Sequence, residues 1–155
     1  MRKMRRIDRA ITQEETWELL NNAEYGVLST ASEDGSPYGV PMSFCVIDQC
    51  IYFHCALEGH KIDNINQNNS VSFCVVGKTK VIPDQFSTFY QSVIVAGKAG
   101  EVNDDIKKKA LKALIKKYSP DFVTEGDAYI EKLWDKTRIM SITIDHISGK
   151  SKKIK

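Results

Sequence analysis

The chain has 155 residues, of which 42% are hydrophobic and 27% are charged. This balance argues against an intrinsically disordered chain, and the length suits one domain with one hydrophobic core. No apolar run approaches the ~20 residues that a membrane-spanning helix requires. No apolar stretch follows the basic N-terminus either, so we expect a cytoplasmic protein with no secretory signal and no membrane partner.

The positive charges are concentrated at the two ends of the sequence. The formal net charge is +2, but residues 1–9 and residues 150–155 each carry +4, which leaves the interior negative. A nucleic-acid-binding protein usually carries a basic stripe on its folded surface, and neither end has interleaved aromatic residues. We therefore expect no nucleic-acid partner. The ends are either solvated tails or segments that fold over a small anionic ligand.

The four cysteines, Cys45, Cys50, Cys55 and Cys74, form no Cys-x-x-Cys pair. All four lie in or beside apolar, strand-like segments, which is typical of buried free thiols in a reducing compartment. His54 and Cys55 are adjacent and would point to opposite faces of a strand, so they make a poor pair of metal ligands. We predict no metal site.

The first part of the chain predicts a helix that is followed by short strands. Thr12 and Glu15 form a capping-box pattern at the start of a helix over residues 12–23. The strands that follow cover residues 25–31, 37–47 and 50–55.

Two tight turns connect these strands. Asp34-Gly35 is a strong hairpin signal, whereas Asp48-Gln49 is less favourable because Gln disfavours positive φ. Since both connections are short, we expect the three strands to form an antiparallel meander.

The middle of the chain predicts two further strands. A short helix begins near Gly59, and a fourth strand covers residues 70–76. Residues 77–89 have no clear period and include a proline, which predicts a long loop. A fifth strand covers residues 91–102, where Gly97 and Gly100 are candidates for a bulge or a corner.

The last part predicts two helices and a final strand. Asp104 is expected to cap the first helix, which Pro120 ends, and a second helix covers residues 127–134. A sixth strand follows over residues 137–147 and is expected to stop at Ser148-Gly149-Lys150.

These elements predict a single domain over residues 1–155 that is mainly β with helices (α+β). Helices that do not alternate regularly with the strands argue against a parallel, doubly wound sheet. A small closed or nearly closed barrel leaves no exposed strand edges, so we predict a six-stranded antiparallel barrel.

Gly59-His60-Lys61 is the most informative stretch for binding. A helix N-terminus offers unpaired N–H groups and a partial positive charge, and a lysine in its first turn suits a bound phosphate. The alternative is that Lys61 is simply solvated. His54, at the end of an apolar strand, is either a packed residue or a hydrogen-bonding group that carries a proton near neutral pH.

A second candidate for binding is the interrupted strand around Pro41. Proline lacks an N–H group, so within a sheet it is confined to edges and bulges. Such an interruption either leaves backbone groups free to bond a ligand or is an ordinary bulge.

Several motifs, in order along nearly the whole chain, resemble one family. They are Tyr-Gly-Val-Leu-Ser-Thr at 25–30, Asp-Gly-Ser-Pro-Tyr-Gly-Val-Pro-Met-Ser-Phe at 34–44, Ile-Tyr-Phe-His-Cys-Ala-Leu-Glu-Gly-His-Lys at 51–61, and Ile-Ser-Gly-Lys at 147–150. The sequence resembles the 5-nitroimidazole-resistance (Nim) family of the pyridoxamine 5'-phosphate oxidase-like split-barrel flavoproteins.

This resemblance implies a split β-barrel and a homodimer with FMN, or the related FAD, at the interface between the subunits. It also implies an active-site role for His54. The residues that it places at the cofactor are Pro41, Met42 and Ser43 along the isoalloxazine ring, His54, Cys55 and Ala56 beside the cofactor, Lys61 at the phosphate, Ser92 and Val93 from the second subunit, and Gly149 and Lys150 closing over the site.

The function implied is that of an FMN-dependent oxidoreductase. Electrons from NAD(P)H or another reductant would reach a small-molecule acceptor, such as a nitroaromatic of the 5-nitroimidazole type. One alternative is a flavin-binding or carrier protein without turnover of its own. A second alternative is a split barrel that binds heme.

Overall fold

The computed structural model of the protein describes residues 4–152. Within them the chain forms seven strands and four helices, linked in places by single turns of 3-10 helix. The strands are β1 (Gly26–Ala31), β2 (Pro37–Met42), β3 (Cys45–Ile47), β4 (Cys50–Cys55), β5 (Ser70–Ile82), β6 (Ser87–Val102) and β7 (Arg138–Lys152). The helices are α1 (Gln13–Asn22), α2 (His60–Gln67), α3 (Asp104–Tyr118) and α4 (Val123–Leu133).

All seven strands pair antiparallel in one sheet with the order β2-β1-β5-β6-β7-β4-β3. The prediction of a mainly β fold with helices is confirmed, but the sheet has seven strands rather than six. Its two edge strands, β2 and β3, are consecutive in the chain and are joined only by Ser43 and Phe44. The sheet must therefore curl until its edges approach each other. Across residues 4–152 the strand pairing does not close into a complete ring.

The predicted strand over residues 37–47 is divided at Ser43 and Phe44. Its first part pairs with β1, and its second part pairs with β4 at the opposite edge of the sheet. Both antiparallel pairings of the predicted meander are therefore present, but its middle strand is not continuous. Tyr118 holds the division in place, because the N–H of Phe44 donates to the Tyr118 hydroxyl at 2.9 Å. That hydroxyl donates in turn to the Glu24 carbonyl at 2.6 Å.

The predicted loop over residues 77–89 is also wrong. β5 and β6 continue as a paired hairpin through this segment, with a shift of register between Val76 and Thr79. The chain reverses through the 3-10 turn Pro83–Gln85 and then Phe86, which has a φ of 47° and a side chain that is 98% exposed.

Gly97 lies at a shift of register between β6 and β7, as predicted for a bulge. A Cβ atom at this position would collide with the backbone carbonyl oxygen of Thr143, so the two strands approach too closely for a side chain. Gly100, the other predicted position, pairs in regular register. β7 does not stop near residue 147 but pairs with β6 as far as Lys152.

The helix starts agree with the sequence only in part. The capping box of α1 is confirmed, since the N–H of Glu15 donates to Thr12 Oγ1 at 3.1 Å and the N–H of Thr12 donates to Glu15 Oε2 at 2.8 Å. The N-cap of α3 is Asn103, and the predicted cap Asp104 is the first helical residue. Helix α4 begins at Val123, earlier than predicted.

The core has two parts. The main cluster is centred on fully buried side chains such as Leu28, Phe53 and Phe73 from three strands and Phe44 from the junction between β2 and β3. A smaller cluster of Cys45, Ala110, Leu114 and Ile139 packs α3 against β3, β4 and β7. The four cysteines are free thiols, two buried and two half-buried.

Among residues 4–152, no helix is both long enough and apolar enough to cross a membrane. The same part of the chain contains no group of three or more His, Cys, Asp or Glu side chains placed to hold a metal ion.

Candidate functional site

A cleft of about 420 Å³ lies between the end of β4 and helices α3 and α4. Its volume falls in the range of ~300–1,000 Å³ that is typical of small-molecule sites. One wall consists of Ser43, His54, Cys55 and Ala56. The opposite wall is largely apolar and includes Leu111, Leu114, Ile115, Tyr129, Ile130 and Leu133. The cleft thus brings together four residues that the resemblance assigns to the cofactor.

The alternation of β4 explains how His54 reaches this cleft. Ile51, Phe53 and Cys55 are buried in the main core, and successive side chains of a strand point to opposite faces. Tyr52 packs against the smaller cluster under α3, and His54 follows it on the same face. His54 is also held in register opposite Ile139 of β7, so the paired backbone fixes its position.

The electrostatics of the cleft favour a neutral His54. His54 is exposed to solvent on one side, and desolvation by the cleft on the other side lowers the pKa of its imidazole below the ordinary value; the positive charge of Lys61 lowers the pKa further. A neutral imidazole presents one donor and one acceptor nitrogen to a ligand, and it can take up or release a proton close to neutral pH.

Cys55 lines the same cleft but has the properties of an inert thiol. Its side chain is buried, and burial raises the pKa of the thiol even though Lys61 acts in the opposite direction. A buried thiol with a raised pKa is a poor nucleophile, so Cys55 contributes to the shape of the cleft rather than to covalent chemistry.

The start of α2 at His60 follows Ala56 of this wall after three residues, but neither Gly59 nor Lys61 lines the cleft itself. Gly59 precedes the helix with a φ of 145°, a conformation that glycine adopts without strain. A Cβ atom at Gly59 would meet nothing within 4 Å, so the backbone here borders open space. The first N–H groups of any helix have no partner within it, and Lys61 is the second residue of this helix.

A polar network fixes α2 on the sheet. The side chain of Asn64 is buried, donates to Thr30 Oγ1 at 2.9 Å and accepts from the Ser32 hydroxyl at 3.1 Å. His60 Nε2 lies 3.3 Å from the same hydroxyl, and its ring stacks on Tyr38 with 4.3 Å between centroids. These contacts orient the helix start that carries Lys61, and no local pattern in the sequence predicts them.

Pro41, Met42 and Ser43 follow one another at the end of an edge strand. Pro41 is exposed and lies opposite Val27 of β1, which fits the prediction that a proline in this sheet occupies an edge. Met42 packs against the main core, and only Ser43 lines the cleft.

The other predicted cofactor residues lie together elsewhere. Ser92 is opposite Lys150, and Val93 is opposite Gly149, in the ladder between β6 and β7. The Val93 side chain is completely buried, and Gly149 packs so closely on α1 that a Cβ atom would collide with Thr16. None of these four residues lines the cleft within one chain.

The two later helices contribute to the cleft in a way that the sequence did not predict. Tyr118 of α3 and Tyr129 of α4 line it, but in the sequence they belong to the apolar periodicity of packed helices; Lys136, after α4, lines it too. Tyr118 has a second role because it bonds the junction between β2 and β3 beside Ser43.

Comparison with protein families gives a match over most of the chain. Residues 12–151 match the model of the pyridoxamine 5'-phosphate oxidase family. No curated protein matches the sequence at a significant level.

Similar solved structures support the fold. A conserved hypothetical protein from Mycobacterium tuberculosis is 19% identical with a TM-score of 0.83, and the alignment covers 96% of this chain and 90% of that one. A FAD and heme binding protein from Mycobacterium smegmatis is 19% identical with a TM-score of 0.82, covering 94% and 74%. A protein assigned provisionally to 5-nitroimidazole antibiotic resistance in Bacteroides thetaiotaomicron is 21% identical with a TM-score of 0.75, covering 92% and 86%.

At identities of 19–21%, these structures show only a shared fold. The family model, in contrast, matches nearly all of the sequence that forms the sheet and the cleft. The chain therefore belongs to the pyridoxamine 5'-phosphate oxidase family.

Proposed function

We propose that the protein binds a flavin in the cleft between β4 and helices α3 and α4 and acts as an oxidoreductase. The observation that carries this proposal is the meeting of Ser43, His54, Cys55 and Ala56 on one wall of a largely apolar cleft. Two stretches that the resemblance assigns to one cofactor are thus adjacent in space. Solved structures of the same fold include flavin-binding proteins, among them a FAD-binding protein from Mesorhizobium loti.

The residues present fit the two chemical parts of a flavin mononucleotide. Apolar side chains from α3 and α4 suit a planar ring system, and the polar wall supplies hydrogen bonds along its edge. Lys61 and the open backbone at Gly59 suit a phosphate group. FAD contains the same ring and an equivalent phosphate, so these residues accept either flavin, and we propose FMN as the simpler occupant.

A bound flavin supplies the redox chemistry, and the protein supplies binding, orientation and control of protons. His54 is the proton-carrying group of the cleft, where its neutral form can bind an acceptor and its protonated form can donate to it. The acceptor that we propose is a small nitroaromatic compound of the 5-nitroimidazole type, with NAD(P)H as the reductant.

We further propose that the functional unit is a homodimer. Ser92, Val93, Gly149 and Lys150 lie away from the cleft of their own chain, and in this proposal they border a flavin in the cleft of a second copy. This arrangement gives one composite site to each subunit, and each half of the site depends on the other copy.

The purified protein tests the proposal through its absorption spectrum. We expect a yellow protein that releases FMN or FAD on denaturation, identified by mass. We expect its absorbance to bleach with NAD(P)H and to recover on addition of a nitroimidazole. A colourless protein that takes up neither flavin would overturn the proposal.

Two alternatives give different results in the same experiment. A flavin carrier would be yellow but would neither bleach nor recover on a catalytic timescale. A heme protein would show a Soret band, and His54 would be the residue of this cleft that binds the iron. The variant His54→Ala separates these outcomes, since it should keep the flavin and slow nitroaromatic turnover, whereas it should abolish a Soret band.

A further inference from the structure

A cavity of about 670 Å³ lies between α1 and the sheet. Helix α1 and the segment that leads from it to β1 form one side, and residues in β5, β6 and β7 form the other. The cavity shares no residue with the cleft between β4 and helices α3 and α4. It is also lined by none of the residues that the resemblance assigns to a flavin, in either copy of the chain.

The sheet side of this cavity contains a buried hydroxyl group without a partner. A Cβ atom at Gly149 would collide with Thr16 of α1, and side chains two positions apart in a strand share a face. The side chain of Ser151, which lines the cavity, therefore also points towards α1. Ser151 is 8% exposed, and its Oγ has no hydrogen-bond partner within residues 4–152. Buried polar groups are nearly always hydrogen-bonded, so this hydroxyl indicates a ligand.

Gln91 supplies a second polar group on the same face of the sheet. It lies opposite Ser151 in the ladder between β6 and β7, so the two side chains are neighbours. A Cβ atom at Gly77 would lie 3.5 Å from Gln91 Oε1 and would collide with Leu19 of α1. Leu19 thus packs on the sheet at Gly77, beside the two polar side chains. A hydroxyl and an amide oxygen can both accept hydrogen bonds from one donating group.

The charged side chains of the lining favour a positively charged ligand. The lining includes three glutamates, Glu15, Glu18 and Glu24, but only one cation, Lys78. Within residues 4–152, neither Glu18 nor Glu24 forms an ion pair. The Glu15 carboxylate belongs to the capping box, where it accepts a backbone N–H, and its negative charge adds to that of the other two.

The end of α1 strengthens this negative potential. The last carbonyl groups of a helix have no partner within it and carry a partial negative charge. The last turn of α1 contains no basic residue to balance that charge, and Asn22 and Ala23 line the cavity at this end. The backbone that follows is held in place, because the Tyr118 hydroxyl donates to the Glu24 carbonyl at 2.6 Å.

Apolar side chains form part of the remaining lining. Leu19 is half-buried, whereas Tyr25 and Val76 are each 58% exposed. The face of a tyrosine ring also attracts an ammonium group. A ligand with a positively charged head and a small apolar body suits this combination of groups.

We propose that this cavity binds a small organic amine in its protonated form. Its ammonium group donates to the Ser151 hydroxyl and the Gln91 amide oxygen and is attracted by the glutamates of α1, while its apolar body packs against Leu19. The site does not depend on whether the cleft between β4 and helices α3 and α4 holds a flavin.

Benzylamine is a suitable probe because it combines an ammonium group with an aromatic ring. Isothermal titration calorimetry on the purified protein should detect its binding at millimolar concentration. Glu18→Gln should weaken the affinity about threefold through loss of a negative charge, and Ser151→Ala about threefold through loss of one hydrogen bond. Glu14→Gln removes an equal charge from an exposed position of α1 outside the cavity and should leave the affinity unchanged.

Several results would overturn the proposal. One is an absence of benzylamine binding at millimolar concentration, and another is equal affinity in the wild type, Glu18→Gln and Ser151→Ala. Equal binding of benzyl alcohol, which has the same ring without the charge, would show that the ammonium group is irrelevant. Release of bound flavin by benzylamine would place the probe in the flavin cleft instead.

Thermal unfolding without the probe gives an independent check on Ser151. Ser151→Ala should be at least as stable as the wild type, because the substitution removes a buried hydroxyl that has no partner. A clear loss of stability would show that the hydroxyl is already satisfied in the free protein, which would contradict its role at the ligand.

Discussion

His54 and Lys61 illustrate how two residues, seven positions apart, come to share one electrostatic environment. The end of β4 and the start of α2 are close enough for the Lys61 charge to act on the imidazole. Burial in the cleft is the larger cause of the lowered pKa of His54, and the charge of Lys61 is the smaller one.

This ordering gives a prediction for the titration of His54. NMR spectra across pH, assigned with a His54→Gln variant, should give a pKa below the ordinary value of 6.5. Lys61→Gln should raise this pKa part of the way back. A complete return to 6.5 would contradict the ordering of causes.

The same pKa shift has a consequence for stability. The unfolded chain holds the His54 proton more tightly than the folded chain, so protonation favours unfolding. The His54 contribution should therefore reduce stability as the pH falls from about 6.5 through the folded pKa. In His54→Gln, this part of the pH dependence of urea unfolding should disappear.

Lys61 carries the second prediction at this scale. Lys61→Glu reverses the charge beside the open backbone at Gly59, so flavin affinity should fall at least about tenfold, or about 1.4 kcal/mol. Fluorescence titration of the apoprotein with FMN measures this loss. Lys116→Glu, the same reversal on an exposed face of α3, serves as the control, and an unchanged affinity in Lys61→Glu would remove Lys61 from the phosphate site.

Among the elements, β4 and α1 were predictable because their signals are local. The capping box of α1 lies within four residues, and the tight turn at Asp48-Gln49 fixes the start of β4. That turn forms even though both of its residues require positive φ, with values of 48° and 63°. Pairing of β3 with β4 outweighs the unfavourable conformation of Gln49.

Other elements depended on interactions that a sequence does not display. The division of residues 37–47 requires Tyr118, which lies 74 residues beyond Phe44. The β5–β6 hairpin extends into solvent, so its strands lack the alternation that marks a half-buried strand. Its reversal also uses Phe86 at positive φ, where Gly or Asn is the usual signal.

Two glycines of β6, Gly97 and Gly100, provide a test of close packing between β6 and β7. Gly97→Ala places a methyl group against the Thr143 carbonyl of β7 and should cost about 1–3 kcal/mol of unfolding free energy. Gly100→Ala meets nothing within 4 Å and should change it by less than about 1 kcal/mol. Urea unfolding of both variants measures the difference, and similar losses would argue against a close approach at Gly97.

At the scale of the whole molecule, the candidate site was predictable only in part. The motif around His54 located one wall of the cleft, because neighbouring residues remain neighbours in a strand. The wall from α3 and α4 required the tertiary packing of helices. The positions of Ser92, Val93, Gly149 and Lys150 acquire a role at a flavin only through the proposed second subunit.

The proposed dimer has a measurable consequence. Light scattering should give a mass about twice the 17.5 kDa of one chain. A homodimer of Lys61→Glu chains and a homodimer of Lys150→Glu chains should each bind flavin weakly, because the two variants damage different halves of the composite site. Refolding the two variants together should restore about a quarter of the sites, since half of the dimers are mixed and each has one intact site. A monomer that binds flavin with full affinity would contradict this arrangement.

The place of β7 in the strand order has a consequence for biosynthesis. β7 lies between β6 and β4, so until it inserts, the sheet consists of a four-stranded piece and a separate two-stranded hairpin. Residues 138–152 must therefore be synthesised before the open edge at β6 or the open edge at β4 can be paired. During translation those edges are open to pairing with other nascent chains, so the last of the seven described strands is the one that covers them.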